Sequence, residues 1–341
     1  MRAVVIQEHG GPEVLHAGKV ADPEVGPLEV LIKVWACGVN HVDLYLRQGI
    51  IGASIPLPAV PGREVAGEIM ELGELVTDFE IGDRVTVLPR FPCGNCEPCR
   101  IGEEGMCLKA ASIPGGYAEY TKAPASSLVL LQPEVSYDMA AGVALAYLTA
   151  WHMLISRAKV RSGEDVLVHA AGSGVGSGAI QIAKLAGARV IATAGSDAKV
   201  ERAKQIGADE AINYSKEDFL DAVIGLTEGR GVDVVIEHIG AETWEKSIGC
   251  LAFNGRLITS GAHTGVYSRV NIQEIFIKQL SLIGSYLGTR HELAQLLKAV
   301  ARGRITPVID SVYPLEGAHE AHRMMEERRQ FGKLLIKPWL K

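Results

Sequence analysis

Short runs of alternating apolar and polar residues characterise the first part of the chain, up to about residue 125. Residues 29–34, 65–69 and 84–88 show this alternation, and Gly and Pro residues separate the runs. A period of two is typical of strands that bury one face, and Gly and Pro commonly mark the turns between them. This part of the chain is therefore predicted to be a β-rich barrel or sandwich.

The pattern changes after about residue 136. Residues 138–157 are apolar and rich in alanine, which predicts a buried helix. Beyond them, continuous apolar runs alternate with helical segments. The apolar runs are residues 165–170, 189–193, 232–237 and 256–260, and the helical segments include 178–186 and 198–206. Such alternation is typical of a parallel, doubly wound sheet, so the predicted fold class is α/β.

A glycine-rich turn follows the first of these strands directly and opens a helix. It reads Ala171-Gly172-Ser173-Gly174-Val175-Gly176. In this context glycines let the backbone approach a pyrophosphate, whose charge meets free N–H groups at the helix N-terminus. Gly176 stands at the third glycine position of the common pattern, whereas Ala171 and Ser173 stand at the first two. The segment predicts a Rossmann dinucleotide site, with a tight turn that binds nothing as the alternative.

The end of the second strand bears on the choice of dinucleotide. An acidic residue there would bind the ribose 2′-hydroxyl and repel a 2′-phosphate. The chain has no carboxylate after Thr193 until Asp197, which follows Ser196. Lys199 and Arg202 come next, and Tyr214 ends the following strand. The missing repulsion and the nearby cations favour NADP(H) over NAD(H). The alternative is that Lys199 and Arg202 are solvated charges on a helix surface and have no role in cofactor choice.

Length and charge limit the other possibilities. A chain of 341 residues predicts two domains, and its net charge of −6 is spread along the sequence, which argues against a nucleic-acid partner. Residues 1–6 read as a strand rather than a signal peptide, and no run approaches about twenty apolar residues, as a membrane span requires. We therefore expect a cytoplasmic protein that acts on a small molecule and does not bind a membrane.

Four of the six cysteines lie close together. Cys93, Cys96, Cys99 and Cys107 form a C-x2-C-x2-C-x7-C pattern. Spacings of two residues let thiolates converge on one ion, and four sulfurs suit a closed tetrahedral zinc site with a structural role. One structural Zn²⁺ per chain is therefore expected, with iron–sulfur ligation or free thiols as the alternatives. Cys37 and Cys250 lie in apolar contexts typical of core residues.

At this point the chain resembles the medium-chain dehydrogenase/reductase superfamily over nearly its full length. The residues that carry the resemblance are the cysteine cluster, the glycine-rich turn and residues 38–43, 61–67, 116–120, 148–151 and 255–261. The resemblance implies a GroES-like catalytic domain (residues 1–149, with the zinc lobe at 90–110), a Rossmann domain (150–289), a return to the catalytic domain (290–341), and an active site between them. It also assigns Thr149 and Gly261 to cofactor binding, Thr149 beside the nicotinamide ribose.

The chain departs from the zinc alcohol dehydrogenases of this superfamily at the catalytic metal. Asn40 stands where they have a thiolate ligand, Arg63 where they have an imidazole, and Leu145 near the position of the third ligand. An arginine cannot donate to zinc, so a catalytic zinc is not expected. These departures resemble the quinone oxidoreductase and enoyl reductase branch, which uses NADPH without a catalytic metal, whereas the retained cysteine lobe departs from typical quinone oxidoreductases.

The expected reaction is hydride addition to a quinone or an α,β-unsaturated carbonyl, where hydrogen-bond donors stabilise the developing enolate. The candidate catalytic residues are Asn40, His41, Tyr45 and Arg63, with Tyr45 or His41 as the proton donor. Arg63 could polarise the substrate oxygen. The preferred alternative is an internal salt bridge of Arg63 with Asp43 and Glu64.

Two other functions remain open at this point: an NAD(P)-dependent alcohol dehydrogenase with an unrecognised metal arrangement, and a non-catalytic NADPH-binding protein. The apolar strand at residues 280–285 is expected at a sheet edge, where it could pair with a second copy. This expectation and the resemblance both favour a homodimer or a homotetramer. His319 and His322 are interpreted as lying on an exposed helix face, because Glu320 and Arg323 adjoin them.

Overall fold

The computed structural model describes residues 1–50, 56–111 and 115–340. Residues 51–55, 112–114 and 341 lie outside these described residues. The chain divides into two compact units. Unit 1 comprises Met1–Ala146 and Thr289–Lys341, and unit 2 comprises Tyr147–Gly288.

The secondary structure follows the chain in this order. The strands are β1 (Arg2–Val5), β2 (His16–Lys19), β3 (Glu29–Gly38), β4 (Glu64–Leu72), β5 (Arg84–Val87), β6 (Tyr120–Pro124), β7 (Leu128–Leu130), β8 (Asp165–Val168), β9 (Arg189–Ala194), β10 (Glu210–Asn213), β11 (Val232–Glu237), β12 (Leu251–Thr259), β13 (Ser281–Gly284), β14 (Ile309–Tyr313) and β15 (Lys333–Ile336). The helices are α1 (His41–Gln48), α2 (Glu97–Arg100), α3 (Tyr137–Val143), α4 (Ala146–Trp151), α5 (Gly174–Leu185), α6 (Asp197–Gln205), α7 (Phe219–Leu226), α8 (Ala241–Gly249), α9 (Ile272–Lys278), α10 (Arg290–Ala301) and α11 (Ala318–Glu326).

The main sheet of unit 1 has the strand order β14-β15-β3-β4-β5-β7, with β6 also paired to β3. Strand β3 alternates between buried and partly exposed residues along most of its length, as its sequence pattern predicted. Its last residue, Gly38, is paired with Glu64 of β4 on one side and with Leu335 of β15 on the other. This register brings three distant segments of the sequence to one end of β3, and α1 begins directly after it.

The core of unit 1 lies on the buried side of this sheet and beneath α11. It contains aliphatic and aromatic side chains from both parts of the unit, including Ile32, Ile69, Tyr117, Leu128 and Phe331, each at most 1% exposed. Residues 315–336 contribute to the same buried cluster as residues 4–128. The last part of the chain therefore completes the β-rich unit.

Unit 2 contains a six-stranded sheet within the described residues, in the order β10-β9-β8-β11-β12-β13. All of its neighbouring strands run parallel, which confirms the predicted doubly wound sheet. The chain moves outward from β8 to β9 in one direction and from β11 to β12 in the other. Ligands of such sheets bind beyond the carboxyl ends of the strands at this reversal, between β8 and β11.

The alanine-rich segment expected to form one helix over residues 138–157 is divided. Helix α3 ends at Val143, α4 begins at Ala146, and a π-helical segment (His152–Arg157) follows. Glu64 Oε1 accepts the backbone N–H of Leu145 at 2.7 Å and that of Ala146 at 3.4 Å. A buried carboxylate therefore caps a new helix start here, which a periodicity argument could not predict.

Within the described residues, no single helix has the length and hydropathy to cross a membrane. One pair of consecutive helical segments with a bend between them, Tyr137–Val143 and Ala146–Arg157, is together long and apolar enough for a membrane span, judged by length and composition only.

Candidate functional site

The glycine-rich turn leads from β8 into α5. Ser173 is the N-cap of α5, and its Oγ accepts the N–H of Gly176 at 2.8 Å, so a serine at the second glycine position has a structural reason. A Cβ on Gly176 would lie 2.2 Å from the carbonyl oxygen of Ala170. Gly176 thus permits the close helix–strand approach that the third glycine of the pattern provides. Gly172 is buried, whereas Gly174 and Val175 are half-buried in the first turn of the helix.

The candidate residues for the ribose end lie beyond β9. Ser196 is the N-cap of α6, with its Oγ 3.4 Å from the N–H of Lys199. Tyr214 is 48% exposed, and its hydroxyl lies against Gly195, where a Cβ would approach it to 2.7 Å. Asp197 is the nearest carboxylate on this turn, and its Oδ2 is 2.5 Å from Lys216 Nζ. The charge of Asp197 is thus balanced by a lysine that sequence reasoning did not single out.

A buried chain of hydrogen bonds supports the carboxyl ends of β8, β9 and β11. Glu237 Oε2 accepts the Ser247 hydroxyl at 2.7 Å and the Thr243 hydroxyl at 2.8 Å. His169 contacts Ser247 Oγ through Nε2 at 2.9 Å and Thr193 Oγ1 through Nδ1 at 3.1 Å. Because Ser247 donates to the carboxylate, its oxygen accepts from Nε2, and Nδ1 then accepts from Thr193. A neutral His169 satisfies every group in this chain.

The pKa values agree with this assignment. Burial lowers the pKa of His169, so the ring is neutral at pH 7. Burial alone would raise the pKa of Glu237, but the electrostatic effect of His169, together with the hydrogen bonds from Ser247, Thr243 and Ile239, outweighs it and holds the pKa below the ordinary value. The carboxylate is therefore ionised, and the network fixes the strand ends where the glycine-rich turn begins.

His238 and Gly261 of unit 2 lie next to this edge. His238 follows β11 and is 4% exposed, with its Nε2 3.1 Å from Ser173 Oγ. A Cβ on Gly261 would lie 2.6 Å from the carbonyl oxygen of His238, so a close backbone approach requires glycine there. Thr149 lies on α4 and is 9% exposed. Helix α4 is joined to α5 by Tyr147, whose hydroxyl lies 3.3 Å from Ser177 Oγ.

The cysteine cluster forms a compact group in unit 1. The Sγ atoms of Cys93, Cys96, Cys99 and Cys107 all lie within 4.8 Å of one another. Four sulfurs each about 2.3 Å from one tetrahedral ion would be about 3.8 Å apart. Arg90 donates to the carbonyl oxygens of Gly105 at 2.9 Å and Cys107 at 2.7 Å, which fastens the lobe to the segment that follows β5. The donor set and its spacing fit a zinc ion.

A second polar group surrounds the end of β3. Lys333 Nζ donates to Asn40 Oδ1 at 2.7 Å and to the Val39 carbonyl oxygen at 2.8 Å, and it lies 2.8 Å from Glu64 Oε2. The side chains of Lys333 and Glu64 are 3% and 0% exposed. Asn40 Nδ2 donates to Glu64 Oε2 at 2.9 Å and to the Gly38 carbonyl oxygen at 3.2 Å. Both the oxygen and the nitrogen of the Asn40 amide therefore have hydrogen-bond partners within unit 1.

Arg63 adjoins this group. Of the two carboxylates expected to flank it, Glu64 forms its ion pair with Lys333. Asp43 is fully buried and accepts the N–H groups of Asn40 at 2.9 Å and Gly62 at 3.2 Å. Burial raises the pKa of Asp43 to about 6, and the positive charge of Arg63 opposes that rise. Arg63 itself is half-buried, and its Nε is buried without a hydrogen-bond partner among the described residues.

His41 and Tyr45 lie one turn apart on α1. Their ring centroids are 6.5 Å apart with the planes tilted by 51°, and both residues are half-buried. Burial raises the pKa of Tyr45 further above neutral pH, so its hydroxyl is protonated there. The same helix therefore presents both candidate proton donors.

The interpretation of His322 as an exposed residue is wrong. His322 is fully buried, with Nε2 3.2 Å from the Tyr117 hydroxyl and Nδ1 3.5 Å from a guanidinium nitrogen of Arg47. Arg47 is also fully buried and forms an ion pair with Glu326. Burial lowers the pKa of His322 to about 3, and the charge of Arg47 adds to that effect. Glu320 and Arg323 are directed away from the buried position of His322 around α11, so their charges misled the interpretation; His319 is half-buried.

Comparisons with known protein families found a match in each of the two units. Residues 26–133 match the model of the alcohol dehydrogenase GroES-like domain, and residues 174–302 match that of the zinc-binding dehydrogenase family. The human quinone oxidoreductase is 35% identical over 344 aligned residues, covering 98% of this chain and 97% of the relative. The chain belongs to the medium-chain dehydrogenase/reductase superfamily.

Solved structures extend this assignment. An NAD-dependent alcohol dehydrogenase is 43% identical, with a TM-score of 0.95 and 99% of each chain covered. Mycobacterial Rv1454c, solved in complex with NADPH, is 33% identical, with a TM-score of 0.84 and coverage of 99% of this chain and 100% of that one. This medium-chain dehydrogenase/reductase is therefore an oxidoreductase with a GroES-like unit 1 and a Rossmann-like unit 2, as the sequence predicted, rather than a non-catalytic protein.

Sequence reasoning missed several residues of this medium-chain dehydrogenase/reductase because they are distant in sequence from the residues they support. Lys333 lies 293 positions from Asn40. Its signal was a lysine at the head of the apolar strand KLLI, all four residues of which are buried. Glu237 likewise ends the apolar strand β11, and His238 follows it. A charged or polar residue at the end of a buried strand was the available clue in each case.

Proposed function

We propose that this oxidoreductase uses NADPH to reduce quinones or α,β-unsaturated carbonyl compounds without a catalytic metal ion. The observation that carries the proposal is the donor set around the end of β3. Lys333 holds the oxygen atoms of Asn40 and Glu64, and Leu145 offers only a backbone N–H to Glu64. Arg63, which stands where zinc alcohol dehydrogenases have an imidazole ligand, is a cation and cannot be a ligand.

When bound, NADPH supplies the hydride, and the residues of the chain supply orientation, charge and a proton. Arg63 is the candidate to stabilise negative charge on the substrate oxygen, since its Nε is buried without a hydrogen-bond partner in the described part of the chain. Tyr45 is the candidate proton donor because burial raises its pKa and keeps the hydroxyl protonated. His41, one turn before it on α1, is the alternative donor.

The preference for NADP(H) rests on the turn after β9. We expect Ser196, Lys199 and Tyr214 to lie around the adenine ribose of a bound cofactor, and the charge of Asp197, at the start of α6, is balanced by Lys216. A 2′-phosphate would meet hydroxyls and ammonium groups rather than an uncompensated negative charge. The phosphate end would be held by the first turn of α5, where helix N–H groups lack intrahelical partners.

The cysteine cluster would hold one zinc ion with a structural role. Four sulfur donors leave no ligand position for substrate. Glu104 of the same lobe accepts the backbone N–H of Arg290 at 2.6 Å, and Arg290 Nε donates to the Leu128 carbonyl oxygen at 2.8 Å. The ion would thus stabilise a lobe that holds the first turn of α10 in unit 1.

Steady-state kinetics tests the proposed reaction. Oxidation of NADPH is expected with a panel of quinones and enones, with NADH less effective. Arg63→Ala is expected to lower kcat/KM by about 100-fold if the guanidinium stabilises the developing charge. Arg100→Ala, at an exposed position of α2, is the matched control. An unchanged kcat/KM in a folded, cofactor-binding Arg63→Ala variant would rule out the catalytic role.

The second candidate function is an NAD(P)-dependent zinc alcohol dehydrogenase. It is favoured by the retained cysteine cluster and by the 43% identity to an NAD-dependent alcohol dehydrogenase. Metal analysis separates the two, since the proposed reductase would contain one zinc ion per chain and the dehydrogenase two. Alcohol oxidation with NAD⁺ that a chelator abolishes would support the second candidate.

We also propose a homodimer or homotetramer. Among the described residues, strand β13 is an edge strand of the six-stranded sheet of unit 2, and it pairs with β12 on one side. Phe276 and Tyr286, before and after it, are 65% and 63% exposed. A second copy paired along β13 would cover both the strand edge and these apolar side chains. Analytical ultracentrifugation of the wild type and of a Leu282→Pro variant would test this, since proline removes a ladder donor.

A further inference from the structure

His238 carries a buried nitrogen without a partner at the start of α5. The residue is 4% exposed and follows β11, the strand that adjoins β8 in the sheet. Its Nε2 lies 3.1 Å from the hydroxyl of Ser173, the N-cap of α5. Its Nδ1 is buried and has no hydrogen-bond partner within the described residues. Such an atom in a folded protein calls for an explanation, and helix N-termini commonly bind anions.

The hydrogen atoms of the Ser173–His238 pair indicate what this nitrogen does. Ser173 Oγ already accepts the N–H of Gly176 at 2.8 Å, which leaves its own proton free to be donated. That proton can go to Nε2, because a neutral imidazole has one acceptor nitrogen and one N–H. The N–H of the ring is then on Nδ1, the atom without a partner. With this tautomer, the pair holds one hydrogen-bond donor in reserve, on Nδ1.

The imidazole supplies this donor without a charge. Burial lowers the pKa of His238 to about 3. The charge of Glu237 opposes this effect, whereas His263 and His169 add to it. At pH 5 to 8 the ring is therefore neutral, and its donor strength does not change with pH.

We propose that Nδ1 of His238 donates a hydrogen bond to the pyrophosphate of the bound dinucleotide, with Ser173 donating to Nε2. This assignment rests on the proposed function, because it requires a dinucleotide on the first turn of α5. An anion there would take the Nδ1 proton as well as the free N–H groups of the helix. His238 would thus be a binding residue that follows β11, the fourth strand of the doubly wound sheet, outside the glycine-rich turn itself.

Two variants separate the nitrogens. The amide nitrogen of asparagine lies two bonds from Cβ, like Nδ1, and that of glutamine lies three bonds from Cβ, like Nε2. His238→Asn therefore keeps the donor proposed to reach the pyrophosphate, whereas His238→Gln keeps only the contact with Ser173. One hydrogen bond to a charged group corresponds to about a tenfold to hundredfold change in dissociation constant. His16→Gln, at an exposed position of β2, is the control for replacing a histidine.

The test measures NADPH dissociation constants by fluorescence for wild type and variants. His238→Gln is expected to weaken binding about tenfold or more, and His238→Asn to bind within about threefold of wild type. Equal binding by wild type and His238→Gln overturns the proposal while leaving the proposed function intact. Failure of the wild-type enzyme to bind NADPH overturns both, so the two failures are distinguishable.

The ¹⁵N NMR spectrum of His238 provides a readout that a purely structural role would not change. In wild-type enzyme saturated with NADP⁺, the proposal requires the proton on Nδ1 and a shift of Nδ1 on binding; a proton on Nε2 overturns it, even where both variants bind weakly. Adenosine 5′-diphosphate, which carries the pyrophosphate, is expected to reproduce the shift of Nδ1. Adenosine 2′-monophosphate, which lacks it, is expected to leave Nδ1 unchanged, and a shift with this ligand alone contradicts the assignment to the pyrophosphate.

Discussion

The buried ammonium of Lys333 gives the sharpest prediction for stability. Lys333→Met replaces the lysine by an uncharged side chain of similar length. The substitution leaves Glu64, whose side chain is 0% exposed, without its cation. Removing one partner of a buried ion pair costs about 3–5 kcal/mol. Glu64 keeps hydrogen bonds from Leu145 at 2.7 Å and Asn40 at 2.9 Å, so we expect the lower end, about 3 kcal/mol.

The matched control is a second lysine–carboxylate pair that has the same N–O distance but is more exposed to solvent. Lys184 Nζ lies 2.8 Å from Asp209 Oδ2, but the two side chains are 37% and 38% exposed. Solvent screens such a pair, so Lys184→Met is expected to cost at most about 1 kcal/mol. Urea unfolding followed by near-ultraviolet circular dichroism measures both free energies.

A double-mutant cycle identifies the cause. Glu64→Gln removes the carboxylate charge, so the loss of Lys333 should cost less in that background than in the wild type. We expect a coupling energy of about 1–3 kcal/mol between the two positions. The reasoning is refuted if Lys333→Met destabilises no more than Lys184→Met, or if the coupling energy is close to zero.

Three further outcomes follow from the structure. Cys99→Ser is expected to abolish zinc binding in metal analysis and to lower the Tm, and full zinc content would contradict the cluster assignment. The pKa of His322 is lowered from 6.5 to about 3, so its neutral form stabilises the fold fully above pH 6.5 and that contribution is lost as pH falls towards 3. His322→Gln should therefore lose unfolding free energy less steeply than wild type over this window, by up to about 1.4 kcal/mol per pH unit, and parallel curves would exclude the assignment. Lys199→Ala should raise the KM for NADPH more than that for NADH, and equal changes for the two cofactors would argue against a 2′-phosphate contact.

The sequence predicted the fold well where hydrophobic periodicity is local. The alternation of residues 29–34 and the apolar run of residues 232–237 each correspond to an observed strand, β3 and β11. The cysteine cluster could be found in the same way, because short spacings constrain four sulfurs to one small volume. These features depend on neighbours within a few residues, which a single sequence displays directly.

The polar groups that complete the candidate site could not be found in this way. Lys333 meets Glu64 and Asn40 through the pairing of β15 and β4 with β3, and nothing local in the sequence specifies that register. His322 was misjudged because exposure was inferred from the charges beside it, whereas the direction of a side chain on a helix changes by about 100° per residue. Long-range pairing and helix orientation are tertiary properties, and both decide which charges are buried.

Metal content measured together with turnover tests the central claim most directly. Purified enzyme should contain one zinc ion per chain and oxidise NADPH in the presence of a quinone or an enone. Removing weakly held metal with a chelator should leave that activity unchanged. Two zinc ions per chain, or turnover that appears only with an alcohol and NAD⁺ and is abolished by the chelator, would contradict the account.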